Sequence, residues 1–188
     1  MILCSSGVLL YELTALYSSF ASKCLYHPLC YTATGKNTQS KGVHILSPEA
    51  AYMVSNILTE LHRPDLPNLY TQAYSIPKIA WKTGTSYGRK DAWSIGYNEH
   101  YTIGVWIGNF NGTGVAGLNG AGTATPLLFQ LFNTVDRHVS QEWLKPSDNL
   151  AFRLVCAESG KLPNQYCTHQ LMDYYIPGVS TSERCSHL

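Results

Sequence analysis

Residues 79–97 read IAWKTGTSYGRKDAWSIGY, two runs rich in Trp, Ile and Thr around a polar turn that holds Gly88. β-Branched and aromatic residues suit a pleated, half-buried surface, so this composition predicts strands over 79–85 and 92–97. A third run, 101–107, follows after only Asn98-Glu99-His100. That spacing predicts a hairpin, and the three runs together predict an antiparallel meander.

Outward from this stretch the periodicity becomes helical. Leu9, Leu13, Leu16, Tyr17 and Phe20 recur at three- and four-residue spacing and predict one buried helical stripe. Ser47-Pro48-Glu49 carries a serine N-cap, a proline at the first helical position and an acid in the first turn. Val54, Ile57, Leu58 and Leu61 are the expected inner face of that helix, and Pro64 its stop. Residues 36–42 are polar and turn-rich, and 109–122 form a glycine-rich loop. A further helix is expected over 125–135, with Pro126 tolerated near its start. Residues 145–149 are polar and mark a boundary, after which periodicity is weak and Gly, Pro and Cys punctuate the chain. Helices and antiparallel strands in this order make an α+β fold, an antiparallel sheet with packed helices. The expected division is 1–145 and 146–188.

Composition narrows the function classes. Of 188 residues, 45% are apolar, enough for a packed core. Only 13% are charged, about half the ~25% usual in soluble domains. A surface that poor in charge is expected to be covered, by a partner or by the rest of a larger body. A net charge of +1 gives no electrostatic footprint for nucleic acid. No stretch is apolar and long enough to cross a bilayer. The first twenty residues lack a basic start and are interrupted by Glu12, so an amphipathic helix is expected there rather than an export leader.

The candidate chemistry lies in Lys82-Thr83-Gly84-Thr85. An ammonium and two hydroxyls along one strand offer donors to a substrate carboxylate. Alternation puts Lys82 and Gly84 on one face and Thr83 and Thr85 on the other, unless the strand is bulged. Gly84 has no side chain, so a substrate backbone can lie close to the strand. A backbone N–H at the strand edge can then stabilise a carbonyl oxygen as it gains charge. Alone, the tetrapeptide also fits a strand end running into a turn.

The wider context resolves that ambiguity. The stretch 79–97, then YTIGVWIGNFNG (101–112) and GLNGAGTATPLLFQLF (117–132), together resemble the class A penicillin-binding proteins, most closely the 1C type. GVLLYELTALYSSFAS (7–22) is similar to the helix that precedes this region in that family. VCAESGKLPNQYC (155–167) and YYIPGVSTSERCSHL (174–188) are similar to its cysteine-bearing C-terminal segment. The resemblance implies part of a penicillin-binding transpeptidase fold, the fold of the serine β-lactamases. It implies a parent that cross-links peptidoglycan through a D-Ala-D-Ala stem peptide and is trapped by β-lactams. It also implies an upstream glycosyltransferase domain, an inner-membrane anchor and a periplasmic location for that parent. Lys82, Thr83 and Thr85 would bind the substrate carboxylate, Gly84 would allow close approach, and the Thr85 N–H would be half of the oxyanion hole. No cofactor and no catalytic metal are expected.

The family's other two motifs, S-x-x-K with the nucleophile and S-x-N, should precede K-T-G. Here Ser75-Ile76-Pro77-Lys78 and Ser147-Asp148-Asn149 spell them, and both are read as chance matches. The first runs into the same strand and contains proline, whereas the chemistry needs Ser and Lys one helical turn apart. The second follows K-T-G. With no nucleophile, the chain alone is expected to form no acyl-enzyme, and its first partner is the missing N-terminal part of the same domain.

Other features have blander readings. Cys156, Cys167 and Cys185 suggest either one disulfide plus a free thiol or a Cys3His metal site completed by His187. The lack of a tight C-x-x-C favours the disulfide, which needs an oxidising compartment. Gly112-Thr113-Gly114-Val115-Ala116-Gly117, with Asp136 beyond, spells a dinucleotide fingerprint, but Asn119, Gly120 and Gly122 follow where a helix should open. His44, His62, His100, His138 and His169 lack ligand spacing. Trp93 and Trp106 are expected in the core, and Asp91 in a turn or paired with Arg89 or Lys90. A non-catalytic envelope module built on the tail from about Leu150 is the remaining alternative.

Overall fold

The computed structural model describes residues 7–30, 42–63, 78–136 and 144–186. The chain divides into two compact units, Met1–Leu144 and Lys145–Leu188. In the first, α1 (Leu10–Ala21), β1 (Leu25–Tyr26), β2 (Val43–His44) and α2 (Pro48–Thr59) precede β3 (Ala80–Thr85), β4 (Asp91–Tyr97) and β5 (Thr102–Gly108). A single π-helical turn, Gly120–Ala124, runs directly into α3 (Thr125–Val135). β1 and β2 pair as a short separate ribbon. The second unit holds β6 (Ala151–Cys156) and β7 (Gln170–Tyr175), paired antiparallel.

The expected meander is present, in the order β3-β4-β5 with both pairings antiparallel. The hairpin turn is set by Asn98, whose Oδ1 accepts the N–H groups of His100 and Tyr101 at 2.9 Å each. One face of the sheet carries Trp81, Ala92 and Val105 against Leu128, Phe129 and Phe132 of α3. The Trp81 and Phe129 rings meet edge to face at 5.3 Å. Gly96 lets this face pack closely, because a methyl there would come within 3.1–3.2 Å of Phe132, Ile79 and Leu128 and those side chains would have to shift.

α1 and α2 cover the opposite face, and their inner surfaces differ from the expected stripes. α1 buries Ala15 and Ser19, while Leu9 and Leu16 are exposed. Close approach is the reason: Thr14 and Leu10 lie directly over Gly104 of β5, leaving no room for any side chain there. In α2 the buried positions are Glu49, Ala51 and Ser55, and Ile57 is 61% exposed. The N-cap reading holds, with Ser47 Oγ accepting the Ala50 N–H at 3.2 Å. Pro64 lies outside the described residues. The tail expected to be irregular contains the β6–β7 pair. Its alternation was hidden because both faces carry large apolar residues, Phe152, Leu154 and Met172 on one, Val155 and Leu171 on the other.

The sharpest polar contact beneath α2 joins the Ser55 and Tyr97 hydroxyls at 2.7 Å, with Tyr97 fully buried between Phe20 and Tyr17. Burial raises the Tyr97 phenol above its ordinary pKa, and the Ser55 hydrogen bond opposes this only in part. A folded pKa above the unfolded value gives stability that is complete below about pH 10 and lost as pH rises beyond it. Tyr97→Phe is therefore expected to cost about 0.5–1.5 kcal/mol at neutral pH through the lost hydrogen bond. It should also flatten the fall in urea midpoint above about pH 10, leaving the smaller slope from Tyr17, which burial also raises.

Candidate functional site

β3 is an edge strand: among the described residues no strand pairs with its outer side. The ladder fixes which of its groups face outward. The Ser86 N–H donates to the Asp91 carbonyl at 3.0 Å, in register with the β3–β4 pairing. In an antiparallel ladder the hydrogen-bonded pairs alternate, so Lys82 and Gly84 direct their backbone groups to β4. Thr83 and Thr85 direct their N–H and C=O groups to the open edge. The strand is unbulged, so the side chains alternate as the sequence implies.

Lys82 and Gly84 share a face with Ile95 and Trp93, which lie directly opposite them on β4. Together with Leu13 and Tyr17 of α1 and residues 83–86, they line a groove of about 500 Å³. Lys82 is exposed, and its Nζ donates to the outward-facing Thr83 carbonyl at 2.8 Å. All four positions of Lys82-Thr83-Gly84-Thr85 thus border one groove. A methyl on Gly84 would touch only Trp93 Cβ, at 3.5 Å, so the glycine leaves open floor rather than relieving a clash among the described residues.

Behind the strand sits a clamp that periodicity did not indicate. The Gly120 N–H donates to Thr85 Oγ1 at 3.0 Å. A methyl at Gly120 would meet the Gly84 and Trp93 carbonyl oxygens at 2.7 Å each and Thr83 Cβ at 2.9 Å. Asn119 Oδ1 caps the π turn by accepting the Gly122 N–H at 2.6 Å. Thr125 Oγ1 donates to the Gly120 carbonyl at 2.9 Å and lies 3.1 Å from the buried Ser94 hydroxyl. The Thr85 hydroxyl accepts from Gly120 and keeps its own hydrogen to donate.

Several expectations are corrected. Asp91 closes the turn through Ser86, as one of the two readings had it, but its carboxylate accepts the Trp106 indole N–H at 2.9 Å rather than pairing with Arg89 or Lys90. Trp93 and Trp106 are half-buried on the groove face, 6.4 Å apart, and among the described residues the buried core tryptophan is Trp81. The GTGVAG segment lies in an open loop with Gly112 and Gly117 at positive φ, and the helix opens at Gly120. The sheet beside it is antiparallel throughout, so the β-α-β frame of a dinucleotide site is not formed by the described residues. Asp136 is buried at the end of α3 and accepts a hydrogen bond from Asn98. Ser75, Pro77, His138 and His187 lie outside the described residues, and Ser147 to Asn149 lies in the second unit.

In the second unit the Sγ atoms of Cys156, Cys167 and Cys185 all lie within 4.8 Å of one another. No disulfide joins them. Cys156 and Cys185 are buried, and the Ser159 hydroxyl with the Ser159 and Glu158 backbone lowers the Cys156 thiol to about 6.

Residues 147–188 match the family model described as "Penicillin-binding protein 1A, C-terminal domain". Penicillin-binding protein 1C of Escherichia coli (strain K12) is 35% identical over 138 residues, 71% of this chain and 18% of that protein. The chain belongs to the class A penicillin-binding proteins. Penicillin-binding protein 1A of Clostridium tetani is 26% identical over 202 residues, covering 97% of the chain and 25% of the relative. The crystal structure of penicillin-binding protein 1A from Haemophilus influenzae matches with a TM-score of 0.66 at 16% identity. That match covers 94% of this chain and 33% of the other, and shows the fold. The chain therefore spans a quarter or less of these two curated relatives.

Gly120→Ala tests the clamp. The methyl meets backbone on two strands, so the variant should be destabilised by about 1–3 kcal/mol. Hydrogen exchange at the Gly84 amide, which is directed to β4, should rise more than at amides of β5.

Proposed function

We propose that this chain supplies the K-T-G wall of a D-Ala-D-Ala transpeptidase that cross-links peptidoglycan. The observation that carries the proposal is the common groove of Lys82, Thr83, Gly84 and Thr85 at a strand edge that no described strand pairs. A stem peptide lying along β3 would add to that edge, its backbone close over Gly84. Its terminal carboxylate would meet the Lys82 ammonium and the Thr83 and Thr85 hydroxyls. The outward Thr85 N–H would donate to the carbonyl oxygen as acyl transfer makes it negative. A β-lactam would use the same contacts, and its acyl-enzyme would persist.

The serine nucleophile in this reading comes from polypeptide outside these 188 residues, as the N-terminal part of the same domain. The division at about residue 145 then separates the transpeptidase part from a C-terminal extension. Membership of the penicillin-binding family supports placement of the parent in the cell envelope, with a glycosyltransferase domain preceding the transpeptidase. No described helix is long and apolar enough to cross a membrane.

The 188-residue chain alone should form no covalent adduct with fluorescent penicillin. In the protein that joins it to an S-x-x-K segment, Lys82→Ala should slow acylation by about 10²–10³-fold, with an unchanged melting temperature. Gly84→Ala should likewise fold normally but weaken labelling, since its methyl fills the groove floor. Near-normal labelling of Lys82→Ala contradicts the assignment.

A further inference from the structure

The second unit has almost no hydrophobic core. Among its described residues only Val155, Cys156 and Cys185 are buried, while Phe152, Leu154, Met172 and Val179 are exposed. A unit this small normally needs a disulfide, a metal or another staple to hold its fold.

Backbone contacts bring three separate segments to one point. β6 ends at Cys156, whose carbonyl accepts the Gly160 N–H at 2.8 Å to close a tight turn, with Gly160 at φ 67°. The Cys185 N–H donates to the Leu162 carbonyl at 2.7 Å, and the Leu162 N–H to the Glu183 carbonyl at 3.0 Å. Asn164 links the remaining pair: its side-chain amide donates to the Cys185 carbonyl at 3.0 Å, and its N–H to Cys167 Sγ at 3.4 Å. These bonds hold the thiols in place without help from any sulfur–sulfur bond.

We propose that Cys156, Cys167 and Cys185 form a structural zinc site. The geometry is that of a metal tetrahedron with one face formed. Zinc–sulfur bonds of about 2.3 Å put neighbouring sulfurs about 3.8 Å apart. Cys156 and Cys185 Sγ are 3.7 Å apart, and no pair of the three exceeds 4.8 Å. A disulfide needs about 2.05 Å between sulfurs and leaves the third cysteine over, whereas zinc engages all three. Three thiolates in one place select a soft or borderline metal over calcium or magnesium. The N–H donated to Cys167 Sγ is the kind of outer contact that orients a metal-bound thiolate. A closed structural site takes its fourth bond from one further protein donor. Binding releases the thiol protons and involves no oxidation or reduction. The site is independent of the transpeptidase reading.

The test uses the full chain, purified under reducing conditions and loaded with zinc or cobalt(II). Elemental analysis should find about one zinc per chain, and cobalt should give a thiolate-to-metal charge-transfer band. Cys156→Ser, Cys167→Ser and Cys185→Ser should each lose most of the metal, and Cys24→Ser should keep it. The cobalt band in the unmodified chain reads thiolate ligation directly, so the result does not rest on whether the serine variants fold. Zinc retained in all three serine variants, absence of the band, or a Cys156–Cys185 disulfide in zinc-loaded chain would overturn the proposal.

Discussion

The first unit depends on the contact between the π turn and the back of β3. Gly120 sits against the carbonyls of Gly84 and Trp93 and gives its N–H to Thr85. Only glycine fits, because both neighbours are backbone and cannot move aside. The contact uses the Thr85 hydroxyl only as an acceptor, leaving the outward Thr85 N–H directed to the strand edge. It also sets where α3 begins, since Thr125 returns a hydrogen bond to the Gly120 carbonyl and meets Ser94 of β4. The core of Leu128, Phe129 and Phe132 is packed against the sheet from that anchored start.

The two faces of the sheet do different jobs because the helices approach them differently. On the α3 side, large side chains fill the space. On the other side α1 and α2 come in through small residues, Ala15, Ser19, Ala51 and Ser55, over Gly104 and Tyr97. That close seating leaves a groove toward β3, where Lys82 and Gly84 look out beside Trp93 and Ile95. An exposed ammonium, an absent side chain and an edge that no described strand pairs make a poor core and leave open space beside the strand.

The second unit solves its stability differently. A two-stranded sheet with exposed apolar faces does not hold together by burial. Its three segments are tied by backbone hydrogen bonds around a cluster of thiols. The cysteines occupy the place where a larger domain would put leucine or phenylalanine.

The strands around Lys82, the Asn98 turn, the Ser47 cap and the span of α3 were legible in the sequence, because each rests on local chemistry: alternation, turn residues and capping. Lys82-Thr83-Gly84-Thr85 was legible for the same reason, as a run on one strand. What local chemistry does not carry is which surface meets which. The most buried positions of α1 and α2 are mainly small residues rather than leucines, with Tyr17 and Phe20 of the expected stripe packed on Tyr97, since interaxial distance is decided by the sheet beneath. Asp91 found Trp106, fifteen residues away, through strand register. Gly120 became a clamp, and three scattered cysteines became neighbours, only when the chain closed. Sequence determined the elements and the strand that carries Lys82; tertiary structure decided the groove and the thiol cluster, because both are built from residues that meet only through long-range packing.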